Sequence, residues 1–284
     1  MAGSETLTRT AVALVGIPLA AGAIYLGGWV LAGVLAVLVV LSTLEVYRMG
    51  AQKQARALAA LGAAAAAGVV ALAALAPERG LENEAFGWLV VALVLAACTL
   101  AIWTHGVEGE PLLSVSVTLF GALYPALLVF ALFLRHLPGV EGALHGTALV
   151  LAPAVLTWAN DSFAYFAGRA WGKQKLIPRV SPGKTVAGAV GALVGTVPVA
   201  VGYTFLLASF PTYRLGLVEG AALGVLVAVA AQVGDLAESL LKRDAGVKDS
   251  GRLLPGHGGA LDRFDSLFFT LPAAYAFFRF VAGA

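Results

Sequence analysis

Charge is scarce in this sequence. Only 12% of its 284 residues are charged, 60% are hydrophobic, and the mean hydropathy is +0.90. A soluble domain carries about 25% charged residues, so this chain has too little polar surface for a water-soluble domain of its size. Cysteine is nearly missing: Cys98 stands alone. An intramolecular disulfide is therefore excluded, and Cys98, set in an apolar run, is expected to be a buried small hydrophobe. Zinc-type Cys/His spacing, a G-x-S-x-G elbow and a dinucleotide fingerprint are absent. A formal net charge of +2 is too small to point to nucleic acid. Strand-type alternation and repeats with catalytic content are also missing, and the first 160 residues contain no aspartate.

Long apolar runs are what the chain does have. A membrane-spanning helix needs about 20 mostly apolar residues. On that measure nine segments qualify, near 7–26, 29–47, 57–76, 86–104, 112–134, 146–168, 185–209, 216–241 and 264–282. The expected fold is an all-α polytopic membrane protein. The opening stretch, with Arg9 before an apolar run and Ala21-Gly22-Ala23 after it, has the look of a cleavable leader. A second apolar run follows at once from Trp29, so a retained first helix is expected. The 34 glycines agree with closely packed membrane helices.

Lysine and arginine set the expected orientation. Arg9, Arg48, Lys53, Arg56, Arg169, Lys173, Lys175, Arg179, Lys184, Lys242, Arg243, Lys248, Arg252 and Arg263 fall on one side of the expected helices. Only Arg79, Arg135, Arg214 and Arg279 fall on the other. The rich side is expected in the cytoplasm, which places the N-terminus inside.

Five of the six aspartates lie between Asp235 and Asp265, and the sixth, Asp161, lies inside the sixth apolar run. This unevenness divides the chain into a membrane scaffold over 1–145 and a working half over 146–284. A carboxylate at membrane depth costs at least about 2.5 kcal/mol on insertion scales, so Asp161 should face a cavity, a cation or a partner. Gln232, Asp235, Ser239 and Lys242 follow at spacings that share one helical face, the wall of a wet cleft. Asp262 and Asp265 are three apart, on one face if a helix starts there. Adjacent carboxylates repel unless a cation or proton joins them. Mg²⁺ suits them, since it takes one or two carboxylates plus waters and phosphate oxygens. The glycines of Pro255-Gly256-His257-Gly258-Gly259 permit close backbone approach; His257 has the options of base, phosphate donor or spectator. Ser181-Pro182-Gly183-Lys184-Thr185 looks like the tail of a phosphate-binding loop, but Pro178 stands where that motif needs glycine, and no strand is expected before it. Together these pieces point to metal-assisted transfer involving a polyphosphate at one membrane surface.

The stretch Ser239–Asp265, SLLKRDAGVKDSGRLLPGHGGALDRFD, closely resembles the defining motif of the phosphatidate cytidylyltransferases. Its matching elements are Ser239, Lys242-Arg243, Lys248-Asp249, Pro255, His257-Gly258-Gly259, Asp262-Arg263 and Asp265. Asp161, Tyr165, Gly168-Arg169, Gly172-Lys173, the Ser181–Thr185 run and Gln232–Leu236 resemble the family as well. The resemblance covers roughly residues 150–275. It departs at Ala187, where the family often carries glutamate or glutamine. It implies transfer of CMP from CTP to phosphatidic acid, with CDP-diacylglycerol and pyrophosphate as products. It further implies divalent metal, Mg²⁺, at Asp161, Asp235, Asp262 and Asp265, with K⁺ as a candidate second cation. Asp235, Asp262, Asp265 and Lys242 are the expected catalytic residues. Lys184, Thr185, Lys242, Arg243, Lys248, His257, Gly258, Gly259 and Arg263 are the expected nucleotide and phosphate contacts, and Arg169, Lys173 and Ser239 the expected lipid-phosphate contacts. A homodimer among membrane lipids, with its site facing the cytoplasm, completes the expectation. Two alternatives remain at this level. One is a relative acting on another lipid, such as an ether-lipid cytidylyltransferase or a CTP-dependent polyprenol kinase. The other is a transporter with buried acids along an ion path.

Overall fold

The computed structural model describes residues 16–251 and 258–282. Among these residues the chain forms nine helices besides a short 3-10 helix, Pro77–Glu82. In chain order they are α1 (Gly16–Leu26), α2 (Gly28–Ala51), α3 (Ala59–Leu75), α4 (Ala85–Thr104), α5 (Pro111–Arg135), α6 (Gly142–Trp171), α7 (Val186–Leu207), α8 (Leu217–Asp244) and α9 (Leu261–Ala282). Seven are long and apolar enough to cross a membrane; α1 and α3 are shorter. At 1.5 Å per residue the 17 residues of α3 fall just short of a bilayer core of about 30 Å. The part of the first expected segment that precedes residue 16 lies outside the described residues. The protein is thus an all-α polytopic membrane protein, and among the described residues seven of the nine expected spans are helices of membrane-crossing length. Gly27 and Gly28, both at positive φ, make the break between α1 and α2 that a side chain would strain.

Two features depart from expectation. Between α6 and α7 lies an antiparallel hairpin, β1 (Lys175–Ile177) with β2 (Ser181–Thr185), in the register Lys175 to Thr185 and Ile177 to Ser181. A strand does precede the Ser181–Thr185 run, therefore, contrary to the reading above. The strands are too short and polar for a period-two pattern, and Pro182 and Gly183 are poor strand formers. The second departure is Cys98, which is exposed rather than buried. Helix α4 is apolar on every side and buries only Leu93, Ala97 and Ala101. The bilayer supplies the apolar surroundings that a soluble core would otherwise give.

By contacts the chain forms two units, one of residues 1–133 with 244–264 and one of residues 134–243 with 265–284. This partition differs from a division at residue 145, because the segment after α8 groups with the N-terminal helices.

In the first unit, Tyr47 of α2 is the keystone. Its ring occupies the space where a Cβ on Gly62 of α3 or on Gly121 of α5 would stand, and its hydroxyl donates to the Thr118 carbonyl at 2.8 Å. Ser114 and Thr118 of α5 accept from the backbone N–H groups of Arg56 and Leu58, both at 2.9 Å. Donors at the entry to α3 would otherwise be buried without partners. In the second unit, close approach across small residues does the packing, as membrane helices require where lipid removes the hydrophobic drive. A Cβ on Gly191 of α7 would come within 2.2 Å of the Ala167 Cβ of α6, and one on Gly195 within 2.2 Å of the Phe163 ring. Gly224 of α8 seats against Ala200 and Val197 of α7, and Gly234 of α8 lies against the Asp265 carbonyl. Tyr203 of α7 donates to the Ala148 carbonyl of α6 at 2.8 Å.

Candidate active site

The glycine-lined contact of α6 and α7 closes the apolar part of the second unit and leaves a wet cavity beside it. This cavity has a volume of about 480 Å³ and is walled by α6, the β-hairpin, the start of α7 and the inner part of α8. Asp161 and Asp235 supply its carboxylates, Arg169, Lys175 and Lys184 its cations, and Asn160, Tyr165, Thr185 and Gln232 its neutral polar groups. The hairpin is what delivers Lys184 and Thr185. Thr185 ends β2 and caps α7, its hydroxyl accepting the Gly188 N–H at 3.0 Å. Lys184 precedes it, and its Nζ lies 2.7 Å from Asp235 Oδ2.

The Lys184–Asp235 pair organises the cavity's charge. The two side chains are 24% and 35% exposed, and a pair open to water to that degree is worth about 1 kcal/mol or less. Either partner is therefore available to an incoming phosphate or cation. Ser239, one turn further along α8, donates to Asp235 Oδ1 at 3.3 Å, and Gln232 donates to the Ala189 carbonyl at 3.3 Å. Asn160 reaches Asp161 Oδ1 at 3.4 Å. Arg169 donates to the Tyr165 hydroxyl at 2.9 Å, which steadies its guanidinium beside the cavity.

Asp265 interacts electrostatically with Asp235, Asp161 and Lys242 but is not on the cavity wall. Lys242 is also off the wall, ion-paired with the buried carboxylate of Glu238 one turn before it. Among the described residues, no three or more His, Cys, Asp or Glu side chains are grouped as a metal cage. Mg²⁺ does not need one: one or two carboxylates with waters and substrate phosphate suffice. Asp161 and Asp235 on one polar wall fit a hydrated ion of that kind.

Of the remaining expected residues, Lys248, Gly258, Gly259, Asp262 and Arg263 lie in the first unit, and Lys173 and Arg243 in the second. Asp262 Oδ2 accepts the backbone N–H of Ser250 at 2.9 Å, the Ser250 hydroxyl at 2.8 Å and the Gly259 N–H at 2.8 Å. Gly258 has a φ of +78°, and a Cβ there would stand 2.6 Å from Asp262 Oδ2. Gly258 thus has a steric reason close to this carboxylate, while a Cβ on Gly259 would meet the Ser250 hydroxyl. A second cavity, of about 410 Å³, is walled by Arg48, Met49 and Gln52 of α2 together with residues 247–251, including Lys248. Arg243 and Arg263 are exposed. Lys173 is exposed too and does not line the first cavity, whereas its neighbour Lys175 does. His257, with Pro255 and Gly256, lies outside the described residues.

Residues that the sequence pattern did not single out are Lys175, Asn160, Ser250 and, above all, Glu45. Glu45 sits inside α2, in the part of the chain expected to be scaffold, and is 2% exposed. Its signal was available, since a carboxylate within an apolar run points to a site by default.

Comparison with known proteins agrees with these features. Residues 7–281 match the cytidylyltransferase family. The phosphatidate cytidylyltransferase of Haemophilus influenzae is 44% identical over 141 residues, which is 48% of either chain. Phosphatidate cytidylyltransferase 5, chloroplastic, of Arabidopsis thaliana is 35% identical over 286 residues, 93% of this chain and 70% of that one. The phosphatidate cytidylyltransferase of Brucella abortus is 40% identical over 205 residues, 69% of this chain and 73% of that one. Against the Haemophilus relative, then, the match spans about half of the relative's length, and against the other two more than two thirds.

Proposed function

The chain belongs to the cytidylyltransferase family, and from that premise we propose that it is the enzyme that transfers CMP from CTP to phosphatidic acid. A phosphate oxygen of the lipid attacks the α-phosphorus of CTP. The new P–O bond forms as the bond from the α-phosphorus to the bridging oxygen breaks, leaving CDP-diacylglycerol and pyrophosphate. The lipid phosphate is already an anion at neutral pH, so no strong general base is required. What the reaction needs is positioning and neutralisation of crowded negative charge.

One observation carries this reading: a single cavity presents carboxylates (Asp161, Asp235) and cations (Arg169, Lys175, Lys184) together. Cations alone would bind phosphate, and carboxylates alone would repel it. Asp161 and Asp235, with Asp265 in electrostatic range, are the residues that would hold Mg²⁺, which when bound offsets phosphate charge. Lys184 binds and orients phosphate oxygens once its bond to Asp235 is exchanged for substrate. Arg169 and Lys175 hold the second phosphate group, and Ser239 fixes the Asp235 carboxylate through its hydroxyl. The assignments of Asp262 to metal, and of Lys242, Arg243, Lys248, His257 and Arg263 to phosphate, rest on the motif itself. The lysine- and arginine-rich loops argue that the site opens to the cytoplasm from the cytoplasmic membrane. There, nucleotide arrives from water and lipid from the bilayer.

Two labels on CTP test the reaction. With purified protein, phosphatidic acid and Mg²⁺, an α-phosphorus label should enter the lipid and a γ-label should leave as pyrophosphate. A γ-label in the lipid instead would make the protein a CTP-dependent lipid kinase.

A further inference from the structure

The first turn of α9 carries Asp262 and Arg263, and its opening N–H groups need acceptors because a helix start leaves them without partners. A carboxylate from α2 supplies them. Glu45 Oε1 accepts the Ala260 N–H at 2.9 Å, and Oε2 accepts the Leu261 N–H at 2.8 Å and lies 3.0 Å from the Ser250 hydroxyl. The same hydroxyl lies 2.8 Å from Asp262 Oδ2. Glu45 and Asp262 thus grip Ser250 and residues 259–261 from two sides. Between them they take up the backbone N–H groups of Ser250, Gly259, Ala260 and Leu261.

The motif glycines are shaped to this grip. A Cβ on Gly251 would stand 2.3 Å from Glu45 Oε1, and one on Gly259 would stand 2.4 Å from Glu45 Oε2 and 2.3 Å from the Ser250 hydroxyl. The chain passes close against the carboxylate at two places where any side chain would push it away. Glu45 is 2% exposed, and a buried charge that kept fewer acceptor bonds would be costly. Charge-assisted bonds to backbone N–H groups are about twice as strong as neutral ones. A neutral side chain of the same size would not replace it.

We propose that Glu45 is a positioning residue for the reaction: from α2 it caps the start of α9 and so fixes Asp262, Ser250 and residues 259–261 in their working geometry. This rests on the cytidylyltransferase reading above. It assigns a role in turnover to a helix that the sequence alone places in the scaffold.

The test is Glu45→Gln in the full-length protein in detergent, with three readouts: thermal unfolding, kcat and KM for CTP, and amide hydrogen exchange. Glutamine keeps the volume but turns one acceptor oxygen into a donor that faces a donor. Tyr47→Phe, which loses only the buried bond to Thr118, is the control for stability without positioning. The expected result for Glu45→Gln is a kcat lowered by about tenfold to a hundredfold, the usual cost of removing an outer partner of a working group. KM for CTP should change by less than about threefold, a loss of under 1 kcal/mol of binding. Exchange should quicken at Ser250 and in residues 258–264, with the rest of the described helices unchanged, while Tyr47→Phe lowers the unfolding temperature without lowering kcat. Unchanged kcat, or unchanged exchange at Ser250 and over 258–264, overturns the proposal. So does a loss of activity that merely tracks the unfolded fraction. If Glu45→Gln does not fold, Ser250→Ala, which cuts the link between the two carboxylates, takes its place under the same criteria. A wild type that makes no CDP-diacylglycerol sinks the enzymatic reading as well, and the exchange result then separates a failed cap from a failed reaction.

Discussion

Lys184 and Asp235 hold each other at 2.7 Å across the wall of the polar cavity, and each is poised to exchange the other for a ligand of opposite charge. Removing the cation should weaken nucleotide use more than it harms the fold. Lys184→Ala is expected to raise KM for CTP about tenfold, equivalent to about 1.4 kcal/mol, with an unfolding temperature close to wild type. Steady-state kinetics across a CTP series checks this, and an unaltered KM would remove Lys184 from the phosphate contacts. The residue scale is also where sequence reasoning did best and worst. Asp161 and Asp235 stand out because a carboxylate in an apolar run is expensive, and Lys184 because it closes a run that looks like a phosphate loop. Glu45 obeys the same rule as Asp161 but lay outside the region that the aspartates marked. Its partners, moreover, are backbone N–H groups, which no residue type announces.

Close packing governs the next scale. Helices α6 and α7 meet across Gly191 and Gly195, where Cβ atoms would come within 2.2 Å of Ala167 and Phe163. The two run antiparallel from the hairpin, Gly188 beside Gly168, Gly191 beside Ala167 and Gly195 beside Phe163, and the polar cavity lies at the hairpin end of this contact. Gly191→Val should therefore splay the pair, at a cost of about 1–3 kcal/mol for overpacking. Thermal unfolding in detergent should register it as a lowered midpoint, and a midpoint equal to wild type would show that the contact yields freely. The helices themselves were legible, since runs of about 20 apolar residues have few other uses. The β-hairpin was not. Three and five residues cannot establish a period-two pattern, and its Pro-Gly step argues against a strand. Cys98 misled for a related reason: in a helix apolar on all sides, hydropathy does not say whether protein or lipid covers a given face.

At the scale of the whole molecule, the chain's own order hides its organisation. Residues 244–264 group with residues 1–133, and the rest of the C-terminal half forms the other unit. The motif run from Ser239 to Asp265 is continuous in sequence, yet its pieces serve both units. In the first, Asp262 accepts the N–H groups of Ser250 and Gly259; in the second, Ser239 donates to Asp235 on the cavity wall. Long-range grouping of this kind arises from which helices pack together, and hydropathy carries no record of it. The central claim is that the cavity bearing Asp161, Asp235 and Lys184 conducts cytidylyl transfer to a lipid phosphate. Its most direct test is turnover in detergent micelles, where no sealed compartment exists for transport. Wild-type protein and Asp235→Asn would be given phosphatidic acid, Mg²⁺ and CTP labelled at the α-phosphorus. The account predicts labelled CDP-diacylglycerol from the wild type and a rate at least about a hundredfold lower from the folded variant, the scale of losing one preorganised electrostatic group. Equal rates from the two proteins, or no lipid product from folded wild type, would contradict it.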